Sequence, residues 1–295
     1  MAGLVVAGLV VAGLVVAGLV AAGPGGIVPS GRDRRVGRDD AIRGCTGVLG
    51  DHSKIQHEGK HAGMTHDEAK QKLIVAGRVL VAQGQDDFTR GHVSVRVPGE
   101  PSLFFMKPHS VGLDEITMEN ILTIDLDGKV VSGGSRRHSE VFIHSEIFKV
   151  RPDVQSVIHS HPPYSVALSA TGRPMRCYSQ PAAVFCGELG VYTDTINLIR
   201  SQEMGAGVAR ALGPHRAALL KNHGVAVVGG SIEEAVINAI MLENAAMVQM
   251  ITEAAGDPAP DFPAEDIARL RHDLSRPDQF IVNFDYLVRR LKRRE

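Results

Sequence analysis

The fold class of this chain depends on the stretch VIHSHPP, residues 157–163. An apolar run leads into it from Val154 and two prolines end it, so residues 154–161 are predicted to form a buried strand. Residues i and i+2 of a strand point to the same face, and His159 and His161 should therefore present two imidazoles side by side. Imidazole is a common ligand of zinc and related cations. The pair alone is a weak signal, because two unrelated polar residues near a strand end give the same pattern.

Outward from this strand, the chain predicts short strands joined by turns, together with several helices. Asp127-Gly128 is a strong hairpin signal between two apolar runs, and the pairs Thr65/Glu68 and Ser231/Glu234 predict helix-capping boxes. Helices do not alternate strictly with strands, which favours an α/β domain with a mainly antiparallel or mixed sheet over a doubly wound parallel sheet. The predicted strands are 92–97, 103–106, 121–126, 129–131, 154–161, 217–221 and 225–228. The predicted helices are 65–84, 139–150, 164–170, 195–212, 231–256 and 264–273.

A third histidine follows in the stretch LLKNHGV, residues 219–225. His223 sits at a predicted tight turn between two apolar strands, and Gly224 beside it permits close backbone approach. Taken alone, His223 is better explained as a turn residue than as a ligand. Together with the first two histidines it gives three imidazoles on β structure, and three protein ligands with an open position are the catalytic pattern of a zinc site.

A carboxylate precedes these histidines in the stretch RRHSE, residues 136–140. Ser139 is a candidate N-cap, and Glu140 would then lie in the first turn, near the positive end of the helix. Without the histidines, Glu140 would be read as a capping carboxylate with no chemical role. With them, it becomes a candidate acid/base.

Composition excludes several classes of protein. The 295-residue chain has a formal net charge of −1, so no basic surplus indicates binding to nucleic acid or to an anionic membrane surface. The three cysteines, Cys45, Cys177 and Cys186, contain no CxxC pair, which argues against a thiolate metal site and against a disulfide framework. A reducing cytoplasm is the compartment that fits this cysteine usage.

The two ends of the chain differ from its middle. Residues 1–23 repeat the AGLVV unit and are apolar enough to span a bilayer. No Lys or Arg precedes them, so we interpret them as a translated low-complexity extension and consider a membrane location the less favoured alternative. We expect residues 1–63 to be a low-complexity and disordered extension, residues 64–256 to be the catalytic domain, and residues 257–295 to be a tail with short helices.

Four motifs in order resemble the class II aldolase/adducin family: HVSVR (92–96), SE (139–140), HSH (159–161) and NHG (222–224). The resemblance covers roughly residues 65–255. It implies a three-layer α/β/α fold around a mainly antiparallel sheet. It also implies a divalent metal ion held by His159, His161 and His223, with Glu140 as the acid/base. Zinc is the first expectation, with Mn, Co or Fe as alternatives, and family members are commonly homotetramers.

The chain departs from the family's sugar-phosphate aldolases where those hold the phosphate. At those positions this chain has three histidines and a lysine: His92, His109, His138 and Lys107. Imidazoles and a cation suit a small-molecule carboxylate substrate. The pattern resembles the family's decarboxylase branch, which acts on 3,4-dihydroxyphthalate or hydroxy-carboxymuconate semialdehyde. We therefore expect a decarboxylase of a hydroxylated aromatic or muconate-type acid, with His138 assisting Glu140. His144, one turn beyond Glu140, is expected to have no role. The candidate substrate-binding residues are His92, Ser94, Lys107, His109, Ser139 and Tyr286.

Two alternatives remain open at this point. The first is an aldolase or epimerase acting on a sugar phosphate or a hydroxy-oxo acid, which the same metal and carboxylate would serve. The second is a non-catalytic scaffold of the adducin type, tethered to a membrane by residues 1–23. The retention of all three histidines and of Glu140 argues against the second.

Overall fold

A single eight-stranded sheet forms the centre of the protein in a computed structural model that describes residues 63–256 and 260–293. The strands are β1 (His92–Val97), β2 (Glu100–Met106), β3 (Leu122–Asp125), β4 (Val130–Ser132), β5 (Ser156–Ser160), β6 (Gly190–Tyr192), β7 (Ala217–Leu220) and β8 (Gly224–Gly229). Their order in space is β4-β3-β2-β1-β5-β8-β7-β6. Every pairing is antiparallel except that of β6 with β7.

Helices cover both faces of the sheet. They are α1 (His66–Ala82), α2 (Val141–Val150), α3 (Pro163–Thr171), α4 (Gln202–Leu212), α5 (Ile232–Ala254), α6 (Ala264–Leu274) and α7 (Pro277–Lys292). Alternate strand residues divide into two cores: Ile158 packs with α1, α3, α5 and α7, whereas Val157 packs with α2 and α4. This alternation is what a sheet buried on both faces requires. The three-layer α/β/α fold with a mainly antiparallel sheet is therefore confirmed.

The two predicted capping boxes differ in the structure. Thr65 and Glu68 exchange both hydrogen bonds at the start of α1, as predicted. Ser231 accepts from the Glu234 backbone N–H at the start of α5, but the Glu234 carboxylate accepts from the Gly230 backbone N–H instead of closing the box. The prediction for α5 is therefore half right.

Two predicted helix starts are wrong. Ser139 is not an N-cap, because α2 begins at Val141 and Glu140 occupies the cap position without capping it. Residues 195–201 are not helical, because α4 begins only at Gln202. The Glu140 carboxylate accepts a hydrogen bond from the backbone N–H of Ile199 at 2.9 Å and so does not cap α2. The start of α4 is set by Ser201, whose side chain caps the helix by accepting from the Met204 backbone N–H.

The C-terminal region contains a helix that was not predicted from the sequence. Residues 277–292 form α7, which buries Phe280 and Phe284 against α1 and α5. The short strand β6 was also not predicted, and it extends the sheet by a parallel pairing with β7. The expectations for residues 1–62 lie outside the described residues.

One described helix, α5, is long and apolar enough to cross a membrane by length and composition alone. Half of its apolar stretch is buried inside the protein, and the helix packs on β5 and β8. Core helices of this kind meet the same criterion, so α5 is explained by its place in the fold.

Candidate metal centre

His159 and His161 lie at the end of β5 with their imidazoles directed to one point. Their Nε2 atoms are 3.0 Å apart. The Nδ1 of His159 lies 2.9 Å from the carbonyl oxygen of Val225 on the neighbouring strand β8. The Nδ1 of His161 lies 2.8 Å from a carboxylate oxygen of Asp87. Each Nδ1 therefore donates its hydrogen away from the site, which leaves the lone pair on Nε2 facing inward.

His223 reaches the same point from the turn between β7 and β8. Asn222 adopts a left-handed backbone with φ of 57°, a conformation that asparagine tolerates better than most residues. A Cβ at Gly224 would lie 2.5 Å from the carbonyl oxygen of Ser160 and 2.6 Å from Cδ2 of His161. Only glycine fits, and its absence of a side chain lets the turn approach the end of β5.

Glu140 completes the cluster from the opposite side. Its two carboxylate oxygens lie 3.8 Å from the Nε2 of His159 and 3.5 Å from the Nε2 of His223. The residue is 1% exposed, and burial raises the pKa of its carboxyl, although the Ile199 hydrogen bond and the nearby Arg200 act in the opposite direction. A carboxyl group with a raised pKa is suited to hold and to transfer a proton.

These four side chains fit a divalent cation. One ligand atom from each of Glu140, His159, His161 and His223 lies within 4.8 Å of the others. Both ring nitrogens of His223 are buried without a hydrogen-bond partner. The Nε2 atoms of His159 and His161 face each other at 3.0 Å, and their lone pairs repel. A cation bound to both nitrogens would remove that repulsion.

Protonation does not compete with a cation at this site near neutral pH. Burial, and then the other imidazoles, lower the pKa of His159 far below its ordinary value. Burial lowers the pKa of His161 as well, and it lowers the pKa of His223 to about 4. The three rings are therefore neutral, which is the form that binds metal.

A second group of histidines lies behind the first. His92 is fully buried, and its ring centroid lies 4.9 Å from that of His159 and 4.2 Å from that of His138. One ligand atom from each of His92, His138 and Glu140 lies within 4.8 Å of the others. His144 bonds His92 at 2.6 Å and Ser94 at 2.6 Å. His144 therefore joins two of the predicted site residues, a contact that the sequence did not indicate, and whether it has a role of its own stays a prediction.

The other predicted substrate contacts lie at varying distances from this centre. Lys107 is fully buried, and its ammonium donates to the carbonyl oxygens of Thr89 at 2.8 Å and Val111 at 2.5 Å. It therefore holds the loop before β1, and this placement does not support a substrate contact. His109 is half-buried, with its ring 5.4 Å from that of His138, so it lies at the edge of the site. Ser139 is half-buried beside Glu140.

Tyr286 is on α7 and is 46% exposed, beside Arg290. The structure does not bring it to the histidines of its own chain. Its predicted role in substrate binding stays a prediction.

Two contributors to the site were missed by sequence reasoning. Asp87 orients His161, yet it stands in a polar loop where nothing in the local pattern distinguishes it from Asp86. Ile199 supplies a backbone N–H, and no side-chain pattern can report a backbone donor. Only the long-range packing of the chain identifies them.

The chain is similar to known proteins over most of its described residues. The family model described as Class II Aldolase and Adducin N-terminal domain matches residues 71–250. The chain is 31% identical over 238 residues to a 3,4-dihydroxyphthalate decarboxylase of Arthrobacter keyseri, covering 72% of this chain and 95% of that protein. It is 34% identical over 204 residues to the decarboxylase NovR of Streptomyces niveus, covering 68% of this chain and 75% of that protein.

A solved structure shares the same architecture. An L-fuculose 1-phosphate aldolase from Glaciozyma antarctica PI12 superposes with a TM-score of 0.69 and 27% identity, covering 77% of this chain and 90% of that one. Decarboxylases and an aldolase are thus among the proteins that this chain is similar to, which supports an enzyme of the lyase type. With its fold, its histidines and its matched residues taken together, the chain belongs to the class II aldolase/adducin family.

Proposed function

We propose that this protein is a metal-dependent decarboxylase of a hydroxylated aromatic or muconate-type carboxylic acid, of the 3,4-dihydroxyphthalate kind, in aromatic-compound degradation. The observation that carries the proposal is the convergence of three neutral imidazoles and one buried carboxyl group within 4.8 Å. The decarboxylases at 31% and 34% identity support the choice of reaction. We further propose a homotetramer in the cytoplasm, with zinc as the resident ion.

His159, His161 and His223 would hold the cation, which when bound supplies a Lewis acid that polarises an oxygen next to the scissile bond. Val225 and Asp87 keep the first two rings in the ligating tautomer through their hydrogen bonds to Nδ1. These contacts fix the site before the substrate arrives, so little reorganisation is needed during reaction.

Glu140 is the proposed proton donor. When the carbon–carbon bond breaks, carbon dioxide leaves and the bonding electron pair stays on the substrate carbon, which then takes a proton. The raised pKa of the Glu140 carboxyl favours the protonated form that this step requires. The Ile199 backbone N–H, at 2.9 Å, holds one carboxylate oxygen and stabilises the charge left after transfer.

An aldolase remains the second candidate, because a solved L-fuculose 1-phosphate aldolase shares the fold. The absence of the aldolases' Asn and Ser residues at His92 and His138 favours the decarboxylase. Both side chains are buried, and one ring nitrogen of each lies within 4.8 Å of a Glu140 carboxylate oxygen, so imidazoles take the places where those aldolases have an amide and a hydroxyl.

The test is incubation of the zinc-loaded or manganese-loaded protein with 3,4-dihydroxyphthalate, with carbon dioxide and aldehyde measured separately. Carbon dioxide release without aldehyde is expected. Formation of dihydroxyacetone phosphate or a triose-type aldehyde from a sugar phosphate would instead support the aldolase. Glu140→Gln should reduce turnover by at least about 100-fold and retain the metal, whereas Glu146→Gln, on the same helix and paired with Lys149, should leave turnover intact. Full activity in Glu140→Gln would refute the assignment.

A further inference from the structure

Two turns near the metal centre have a backbone conformation that their residues disfavour. Phe88 and Ser110 adopt left-handed backbone, with φ of 51° and 63°. For a residue other than glycine this conformation costs free energy, and it persists only where the surrounding structure holds it. The side chain of Phe88 is 83% exposed, and that of Ser110 is exposed as well. Burial of these two side chains therefore does not hold the turns, and another contact must do so.

The buried ammonium of Lys107 lies between the two turns. It donates to the carbonyl oxygen of Thr89 at 2.8 Å and to that of Val111 at 2.5 Å. Each of these carbonyls belongs to the residue that directly follows a left-handed one. An ammonium has donors only, so both bonds have a single possible direction. Lys107 is 0% exposed, so water does not compete for its donors, and this one side chain holds both strained turns.

The turn at Phe88 carries the carboxylate that orients a metal ligand. It runs from Asp87 to Arg90 and is closed by the Arg90 backbone N–H, which donates to the Asp87 carbonyl oxygen at 3.0 Å. A turn with left-handed φ at its first central residue prefers glycine there. One carboxylate oxygen of Asp87 accepts from Nδ1 of His161 at 2.8 Å, and the other accepts from the Arg90 guanidinium at 2.7 Å. The position of this turn therefore determines whether the ring hydrogen of His161 stays away from the metal.

We propose that Lys107 is a positioning residue of the metal centre. By holding the Thr89 carbonyl, it keeps the strained turn in place and so keeps the Asp87 carboxylate on His161. The proposal rests on the part of the proposed function that places a metal ion on His161, and it holds for whichever reaction that ion serves. A lysine with a structural role alone would lower the stability of the protein when removed and leave zinc affinity unchanged.

The test is the zinc affinity of Lys107→Met, measured by competition with a coloured chelator. We expect a loss of about 10–100-fold, the range seen when the support of a metal ligand is removed. Because Lys107 acts through Asp87, Lys107→Met should cause little further loss in a protein that already carries Asp87→Asn. The control is Lys72→Met, which removes a lysine bond to Glu233 between α1 and α5, two helices that carry none of the metal ligands. Its zinc affinity should equal that of the wild type.

Phe88→Gly provides a rescue that a general loss of stability does not predict. Glycine adopts the left-handed conformation without strain, so the turn no longer needs the Lys107 hydrogen bond to hold it. Lys107→Met combined with Phe88→Gly should regain most of the zinc affinity, and the visible absorption of its cobalt-loaded form should match that of the wild type. If Lys107→Met does not fold, Phe88→Val tests the same turn, because a β-branched residue resists positive φ. Its zinc affinity should be several-fold below that of Phe88→Gly, which lacks the same exposed ring.

The outcomes separate this proposal from the proposed function. Wild-type zinc affinity in Lys107→Met, or losses that add fully in Lys107→Met with Asp87→Asn, would overturn the positioning role. Equal affinities in Phe88→Val and Phe88→Gly would overturn it too. Zinc binding that depends on Lys107, without carbon dioxide release from 3,4-dihydroxyphthalate, would sustain the positioning role and refute the decarboxylase. A wild-type protein that binds no zinc would refute both.

Discussion

Gly224→Ala tests whether the metal centre depends on the close approach of two chain segments. The added Cβ would lie 2.5 Å from the carbonyl oxygen of Ser160, about 0.9 Å short of the 3.4 Å at which ordinary van der Waals contact begins. That oxygen belongs to the backbone of β5, so it has no flexible side chain to move. The end of β5 and the turn that carries His223 must therefore separate by nearly an ångström.

This separation has two measurable effects. Forcing a methyl group into a packed site costs about 1–3 kcal/mol of unfolding free energy. Metal–ligand distances tolerate changes of only about 0.2 Å, so a shift of this size weakens the bond from one histidine. We expect zinc affinity to fall by about 10–100-fold, the range seen when the support of a ligand is lost.

Urea unfolding of the metal-free protein measures the first effect, and competition with a coloured chelator measures the second. Gly134→Ala is the matched control, because a Cβ there meets no heavy atom within 4 Å and its backbone does not require glycine. If Gly224→Ala unfolds at the same urea concentration as Gly134→Ala and binds zinc as tightly as the wild type, His223 does not approach β5 as described.

Two further predictions concern residues outside the ligand set. Asp87→Asn should lower zinc affinity by about 10–100-fold, because an amide can donate to Nδ1 of His161 and so place the ring hydrogen on the ligating nitrogen. The exposed neighbour Asp86 gives the control Asp86→Asn, and equal chelator competition in the two variants would contradict the assignment. Burial lowers the pKa of Lys107 from 10.5 to about 8, so between these values the unfolded chain binds more protons and stability rises with pH. The gain should reach the order of 3 kcal/mol by about pH 10.5. In Lys107→Met, the unfolding free energy measured with urea should not show this rise between about pH 8 and pH 10.5. An equal rise in the variant and the wild type would show that Lys107 is not buried as a cation.

The pairing of His159 with His161 could be predicted from the sequence because its pattern is local. Alternation along a strand places His159 and His161 on one face whatever the rest of the fold does. A glycine after His223 marks a turn that approaches other backbone. The three imidazoles and the Glu140 carboxyl group do converge, since strand β8 pairs directly with β5 and brings the third histidine beside the first two.

The parts that could not be predicted depend on contacts between distant segments. Glu140 does not begin a capped helix, because its carboxyl accepts from Ile199, 59 residues away. His144 was predicted to have no role because its partners His92 and Ser94 are far from it in the sequence, on β1. The pairing of β1 with β5 brings that strand close to α2. The helix α7 is different, since its buried Phe280 and Phe284 stand at helical spacing and could have indicated it.

The charge balance of the centre connects the carboxyl group to the proposed reaction. Three neutral imidazoles leave a bound divalent ion with its full charge, which a substrate with two carboxylates can neutralise. An ionised Glu140 would then add a negative charge beside that substrate, within a buried site where like charges repel strongly. Burial raises the pKa of the Glu140 carboxyl, which shifts it towards the neutral form and so lessens this repulsion. In the proposed decarboxylation, the carbon that loses carbon dioxide takes up one proton. A proton on Glu140 would therefore serve twice, since it lessens repulsion with a dianionic substrate and is then available to that carbon.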